Sequence, residues 1–157
     1  MNIHIARGSG AASTTLAAFD AALNDTGIAN FNLLRLSSVI PPDTTLVVHE
    51  DKVPHIDGEW GDRLYVVMAE YRSETFGEEA WAGIGWVVDS ETGKGLFVEH
   101  EGTSKHYVEE SISKSLTDLM KTRGVDFGEI NMIVNGATCQ GEPVCSMVVA
   151  VYQSESW

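Results

Sequence analysis

The chain has 157 residues and a formal net charge of −13, from 10 basic and 23 acidic side chains. With 43% hydrophobic and 21% charged residues it has globular composition, which excludes disorder and low complexity. The length suits a single domain burying about 70% of its unfolded surface, and a pI near 4.6 disfavours phosphate backbones and anionic lipid as partners.

The same charge attracts cations, a weak pointer to a basic small molecule beside the plainer reading of solubility. No apolar run approaches the ~20 residues of a bilayer span. Met1-Asn2-Ile3-His4-Ile5 lacks the charged and apolar regions of a signal peptide. No membrane or nucleic-acid partner is expected, and the expected location is the cytoplasm. Cys139 and Cys145 are too few for a disulfide framework, and zinc would need further ligands. They read as small packing residues of adjoining strands.

In chain order, residues 2–7 alternate, with Ile3 and Ile5 on one face, and predict a strand that Arg7-Gly8-Ser9-Gly10 breaks. Ser13 or Thr14 can cap a helix through Asn24, with Gly27 as its stop. Leu16, Phe19 and Leu23 recur at helical spacing with alanines between them, and Asp20 lies beside that stripe. Phe31 to Ile40 reads as one strand ending at Pro41-Pro42, neither of which can donate a ladder hydrogen bond.

Leu46 to His49 is a short strand, and Glu50 to Gly61 a polar loop. Leu64–Tyr71 and Ala80–Val88 are strands, the second joined by a turn over Asp89–Gly93 to a strand from Gly95 to His100. Val108, Ile112, Leu116, Leu119 and Met120 form the apolar stripe of a helix from Lys105 to Arg123, which Gly124 ends. Ile130–Val134 and Val144–Tyr152 are the closing strands. Strands with two helices and tight turns predict mixed or antiparallel α+β layers, not a doubly wound parallel sheet.

Most candidate chemistry is thin. Gly8-Ser9-Gly10 could offer backbone N–H groups to an anion, but lacks the Walker lysine and the third glycine of a dinucleotide fingerprint. The five histidines show no H-x3-H or H-E-x-x-H spacing, so no metal is expected. There is no G-x-S-x-G elbow. One segment is unusual: Arg35-Leu36-Ser37-Ser38-Val39-Ile40-Pro41-Pro42. Its plain reading is a strand end whose hydroxyls bond to the turn. The alternative is that a hydroxyl attacks its own backbone. Such an N-to-O acyl shift needs a strained, tightly held peptide and a donor for the developing oxyanion.

The run from Asn30 to Pro42 resembles the self-cleavage segment of the pyruvoyl-dependent arginine decarboxylases. The resemblance extends upstream through Ala18-Phe19-Asp20-Ala21-Ala22-Leu23 and Gly27-Ile28. Downstream it runs through Gly83-Ile84-Gly85 and Gly95-Leu96-Phe97-Val98-Glu99-His100-Glu101-Gly102, covering nearly the whole chain. It implies a layered αββα sandwich. It also implies a proenzyme in which the Ser38 hydroxyl attacks the Ser37 carbonyl and β-elimination follows. The products are a β chain of residues 1–37 and an α chain of residues 38–157 that begins with a covalent pyruvoyl group derived from Ser38.

That carbonyl takes the role of pyridoxal phosphate, bonding the substrate amine and accepting the electrons left when CO2 departs. No pyridoxal phosphate is then expected. By the same resemblance Asn32 assists processing, Glu99 is the acid that returns a proton, and Asp20 meets the guanidinium of arginine. Glu101, two residues from Glu99, is its rival. The implied assembly is a homotrimer of αβ units with sites at subunit boundaries, and pairing of trimers is a further arrangement. Ala29 departs from the family pattern, where a glycine is expected, and the loop with Trp60 has no assigned role. Three readings stay open: an arginine decarboxylase making agmatine, a decarboxylase of another amino acid, and an unprocessed oligomeric binding protein of the same fold. The sequence leaves open whether agmatine would serve polyamine synthesis or acid resistance.

Overall fold

A computed structural model describes residues 1–157. The elements in order are β1 (Asn2–Ala11), α1 (Thr15–Thr26), β2 (Asn32–Arg35), β3 (Val39–Ile40), β4 (Thr45–Val48), β5 (Arg63–Ser73), β6 (Glu79–Val88), β7 (Gly95–Gly102), α2 (Lys105–Arg123), β8 (Asn131–Thr138) and β9 (Val144–Glu155). They form two sheets. The first has five strands in the order β2-β5-β9-β1-β4, and the second has four in the order β3-β7-β6-β8. In the first sheet the edge pairs β1–β4 and β2–β5 run parallel, while the inner pairs are antiparallel. All pairs of the second sheet are antiparallel.

Period-two alternation sorts the apolar side chains into three layers. Ala6, Val66, Met68, Met147 and Val149 meet Ala18, Ala22 and Leu23 of α1 outside the first sheet. Ile3, Ile5, Val67, Val148, Ile84 and Phe97 fill the space between the sheets. Leu96, Val98, Val108, Ile112 and Leu116 join the second sheet to α2. The molecule is therefore a mixed α+β fold layered helix, sheet, sheet, helix, as expected.

The ends of both helices follow their caps. Thr14 and Ser104 accept from Ala17 N and Tyr107 N, and Gly27 and Gly124 close the helices in the left-handed conformation at φ 86° and 64°. Both glycines free the last carbonyls to find partners without a Cβ clash. No helix is long and apolar enough to cross a membrane.

Three sequence expectations need correction. Arg7-Gly8-Ser9-Gly10 does not break β1; Gly8 and Gly10 pair with Met147 and Cys145 of β9 inside the ladder. Their glycines serve helix packing. A Cβ on Gly10 would overlap Ala18 O and lie 2.5 Å from Ala22 N. The backbone groups considered as an anion cradle are already engaged: Gly8 and Gly10 sit in the ladder, and Ser9 N donates to Asp25 Oδ2 at 2.9 Å. The buried face of α1 is Ala18, Ala22, Leu23 and Thr26, whereas Leu16 is 68% exposed. Alanines face Gly10 because α1 approaches too closely there for a larger side chain. Finally, Phe31 to Ile40 is not one strand, a point that governs the site.

The second sheet depends on a comparable close approach. Gly85 lies under α2, and an added Cβ would overlap Ile112 Cγ2 and sit 3.2 Å from Leu116 Cδ1. Gly85→Ala is expected to destabilise the fold by about 1–3 kcal/mol through overpacking, read as a lower midpoint in chemical unfolding.

Candidate active site

β2 lies at the edge of the first sheet beside β5, and β3 lies at the edge of the second beside β7. The chain between them changes sheets within three residues. Leu36 N donates to Val66 O at 2.9 Å, the last tie to the first sheet. Phe97 N donates to Ser38 O at 2.8 Å, the first tie to the second. Ser37 stands between, exposed and without a hydrogen bond of its own.

Ser38 makes this crossing in the left-handed region, at φ 65°. For a residue with a Cβ that conformation costs on the order of 1–2 kcal/mol. The neighbouring ties in both sheets hold it there, so the strain is localised on the second serine of the pair.

The Ser38 hydroxyl donates to Glu99 Oε1 at 2.7 Å. Pairing of β3 with β7 makes this contact across 61 positions of sequence, with Val39 opposite Leu96. Glu99 follows Phe97 on the face of β7 that looks between the sheets. Burial pushes its carboxyl above the ordinary value of 4.5, while the Ser38 hydrogen bond and the Arg35 charge pull it partly back. The group thus tends to keep a proton in milder conditions than an exposed glutamate. Glu101 is on the same face but exposed, with no side-chain hydrogen bond to Ser38.

A cavity of about 500 Å³ opens on this edge of β7. Ser37, Ser38 and Glu99 line one side of it; Ser115, Asp118 and Arg123 of α2 line the other. His100, on the opposite face of the strand from Glu99, fixes that wall through a 2.7 Å contact between its Nε2 and Ser115 Oγ. The cavity opens the Ser38–Glu99 pair to solvent.

The other two expected site residues lie elsewhere. Asn32 begins β2, and its amide donates to Gly61 O at 2.5 Å. At ~3.3 Å per extended residue this end of the segment is remote from Ser38. Asp20 is exposed on α1, with the first sheet between it and the Ser38 cavity. The chain brings Ser38 and Glu99 together, and brings neither Asn32 nor Asp20 to them.

Several neighbours had no role assigned from the sequence. Arg35 reaches Glu70 at 3.8 Å, and Arg72 forks onto the same carboxylate while stacking 4.1 Å from the centre of the Phe19 ring. This cluster anchors β2 to β5 just before the crossing. Tyr152 projects from β9 between the sheets. Asp118 and Arg123 lie on the outer wall of the cavity. Arg35 stands within the serine segment, but nothing there announced its pairing with Glu70, and Tyr152 belongs to no motif and could have been flagged only by the alternation of β9. The thiols are unpaired and buried, as packing residues should be. Burial and the nearby Glu70 charge push the Cys145 thiol up to about 12, which leaves it inert.

Two stacked sheets with an outer helix on each thus carry a strained serine whose hydroxyl meets a half-buried carboxyl where the chain changes sheets. Comparison with known proteins shows the family. The family model for pyruvoyl-dependent arginine decarboxylase matches residues 2–156. A pyruvoyl-dependent arginine decarboxylase of Halobacterium salinarum is 39% identical over 153 residues, covering 96% of this chain and 92% of the relative. Those of Thermococcus kodakarensis and Methanococcus vannielii are 32% and 31% identical, each over 88% of this chain and over 85% and 82% of their own. The chain belongs to the pyruvoyl-dependent arginine decarboxylase family.

The residues present suit the prosthetic group that this family implies. Ser38 carries the required hydroxyl, its carbonyl is fixed by a backbone donor, and its side chain faces both a carboxyl and an open cavity.

Proposed function

We propose that this protein cuts its own chain between Ser37 and Ser38 and then decarboxylates L-arginine to agmatine and CO2. The observation that carries the reading is the Ser38 geometry: a left-handed residue, tied on both sides, whose Oγ rests on Glu99. Glu99 Oε1 accepts a hydrogen bond from the Ser38 hydroxyl and aims its oxygen, and as Oγ attacks the Ser37 carbonyl carbon the hydroxyl proton passes to the departing nitrogen. The C–N bond breaks, the Ser38 nitrogen becomes an amine, and an ester joins the two serines. Loss of a proton from Ser38 Cα expels Ser37 as a carboxylate and leaves dehydroalanine. Addition of water releases ammonia and leaves the pyruvoyl group at the head of residues 38–157.

Once formed, the group supplies an electron sink for the bond to CO2. The protein's part is to bind and orient the amino acid and to manage one proton. Glu99 holds that proton, because burial favours its neutral form. The cavity admits the substrate beside it.

Arginine is supported by the names of the relatives and by the chain's acidity. Asp20 is exposed with no ion pair, free to take a guanidinium group in paired hydrogen bonds. Asp20 and Asn32 do not reach Ser38 in their own chain, so in this reading a neighbouring copy within a homotrimer of αβ units supplies both. Free thiols at Cys139 and Cys145 suit a reducing, cytoplasmic compartment.

Intact mass under denaturing conditions tests the reading. Two chains, residues 1–37 and 38–157, are expected, the second lacking a free amino terminus. A single unblocked chain after prolonged incubation overturns self-cleavage. A processed protein that turns over ornithine or lysine but not arginine keeps the chemistry and replaces the substrate.

A further inference from the structure

The bond proposed to break joins two sheets, so its rupture leaves residue 38 held only from the downstream side. Three contacts remain there. Phe97 N–H holds the Ser38 carbonyl at 2.8 Å, Val39 pairs with Leu96, and the Tyr152 hydroxyl donates to the Val39 carbonyl at 3.0 Å. The first two belong to the second sheet. The third comes from β9 in the first sheet and is a cross-sheet tie at Val39, the residue next to the new end.

The Tyr152 ring is itself fixed. It meets Phe97 edge-on, with centroids 6.3 Å apart and planes at 68°, and Phe97 meets Trp86 in the same manner. Phe97 is 2% exposed. The phenol is therefore aimed by a buried aromatic row, not by a mobile surface. Burial and the Glu99 charge push its ionisation upward, so the donor hydrogen is retained throughout any working range.

We infer that Tyr152 is a positioning residue: its hydroxyl, by holding the Val39 carbonyl, fixes the start of residues 38–157 against Glu99 after the chain is cut. In the intact chain β2 restrains Ser38 from upstream as well, through Leu36 and the Arg35–Glu70 pair. The hydroxyl is then redundant. After cleavage that restraint is gone, and β3 is only two residues long. A strand this short frays unless its carbonyls are held, and fraying moves the reacting carbon away from the Glu99 carboxyl. The cost falls on the chemical step, since Tyr152 is not placed against the outer cavity wall that would hold the substrate's far end.

The inference rests on the proposed self-cleavage, and Tyr152→Phe tests it against wild type in parallel. Phenylalanine keeps the ring packing on Phe97 and removes only the hydroxyl. The expected result is complete cleavage at the wild-type rate, an unchanged unfolding midpoint, unchanged KM for arginine, and a kcat about tenfold lower, the worth of one hydrogen bond. The pH profile should keep its wild-type shape, because Tyr152 holds position and moves no proton.

Trapping of the processed protein with an amine and cyanoborohydride should slow in proportion, giving a readout independent of CO2 release. A wild-type kcat in Tyr152→Phe overturns the inference. So does slowed cleavage, which would place the hydroxyl in processing, or a fall in unfolding midpoint large enough to explain the loss, which would make it a folding group. If wild type itself stays uncut or inactive, the proposed function fails first, and the parallel control shows which reading has fallen.

Discussion

Ser38→Ala is expected to remain one chain of 157 residues and to form no agmatine, however long it is incubated. The argument turns on a single oxygen. Alanine keeps the Cβ, so the left-handed strain at φ 65° persists, and the flanking ties from Val66 and Phe97 are backbone contacts that the substitution leaves in place. The fold should therefore survive. What disappears is the nucleophile 2.7 Å from Glu99 Oε1, and with it the precursor of the carbonyl on which decarboxylation depends. Intact mass and an assay for released CO2 check both halves. Any cleavage or turnover in this variant refutes the mechanism. A secondary effect sharpens the test: the Ser38 hydrogen bond holds the Glu99 pKa down, so its loss should raise that value further.

Glu99→Gln should separate processing from turnover. Glutamine keeps an oxygen that can accept from the Ser38 hydroxyl, so cleavage should still occur. It has no proton to give, and loss of a general acid costs typically ~10²–10⁴ in rate. A full rate would move the role to Glu101.

The same substitution has a stability consequence whose sign follows from linkage. Burial raises the Glu99 pKa in the folded state, so between its ordinary value of 4.5 and its native value the folded chain binds more protons than the unfolded one. Stability then falls as pH rises through that window. Glutamine carries no such penalty. In the Ser38→Ala background, which stays in one piece, adding Glu99→Gln should leave the unfolding midpoint unchanged well below the ordinary value of 4.5, raise it as pH rises through the window above that value, and hold a constant gain beyond the native value. A midpoint difference independent of pH would show that Glu99 is not strained by burial.

Local chemistry carried much of the fold. The α2 boundaries, Lys105 to Arg123, coincide with expectation because the Val108/Ile112/Leu116 stripe and Gly124 speak through contacts within a few residues. The caps of α1 were legible for the same reason. The failures share a different cause. Gly8 and Gly10 looked like a turn because local pattern cannot distinguish a glycine needed for a bend from one needed for a neighbour's approach. Leu16 looked buried because helical spacing gives a face without saying what lies against it.

The site divides along the same line. The paired serines, the two prolines after them and the long resemblance named Ser38 and Glu99 in advance. Nothing local showed that Phe31–Ile40 splits between two sheets, because each half alternates as a strand should. Pairing of β2 with β5 and of β3 with β7 makes the split, forces Ser38 into the left-handed region, and brings up a carboxyl 61 residues away. Tyr152 was invisible for that reason: its partner is a backbone carbonyl, which has no residue type to recognise.

The serine segment and the long resemblance around it were thus enough to point to the family and to nominate Ser38 and Glu99. The strain on Ser38, the raised proton affinity of Glu99, the cavity beside them, and the separation of Asp20 and Asn32 from both came from the packing of two sheets. Each of these is a property of distance and burial between segments far apart in the chain, and neither quantity is written in the order of the residues.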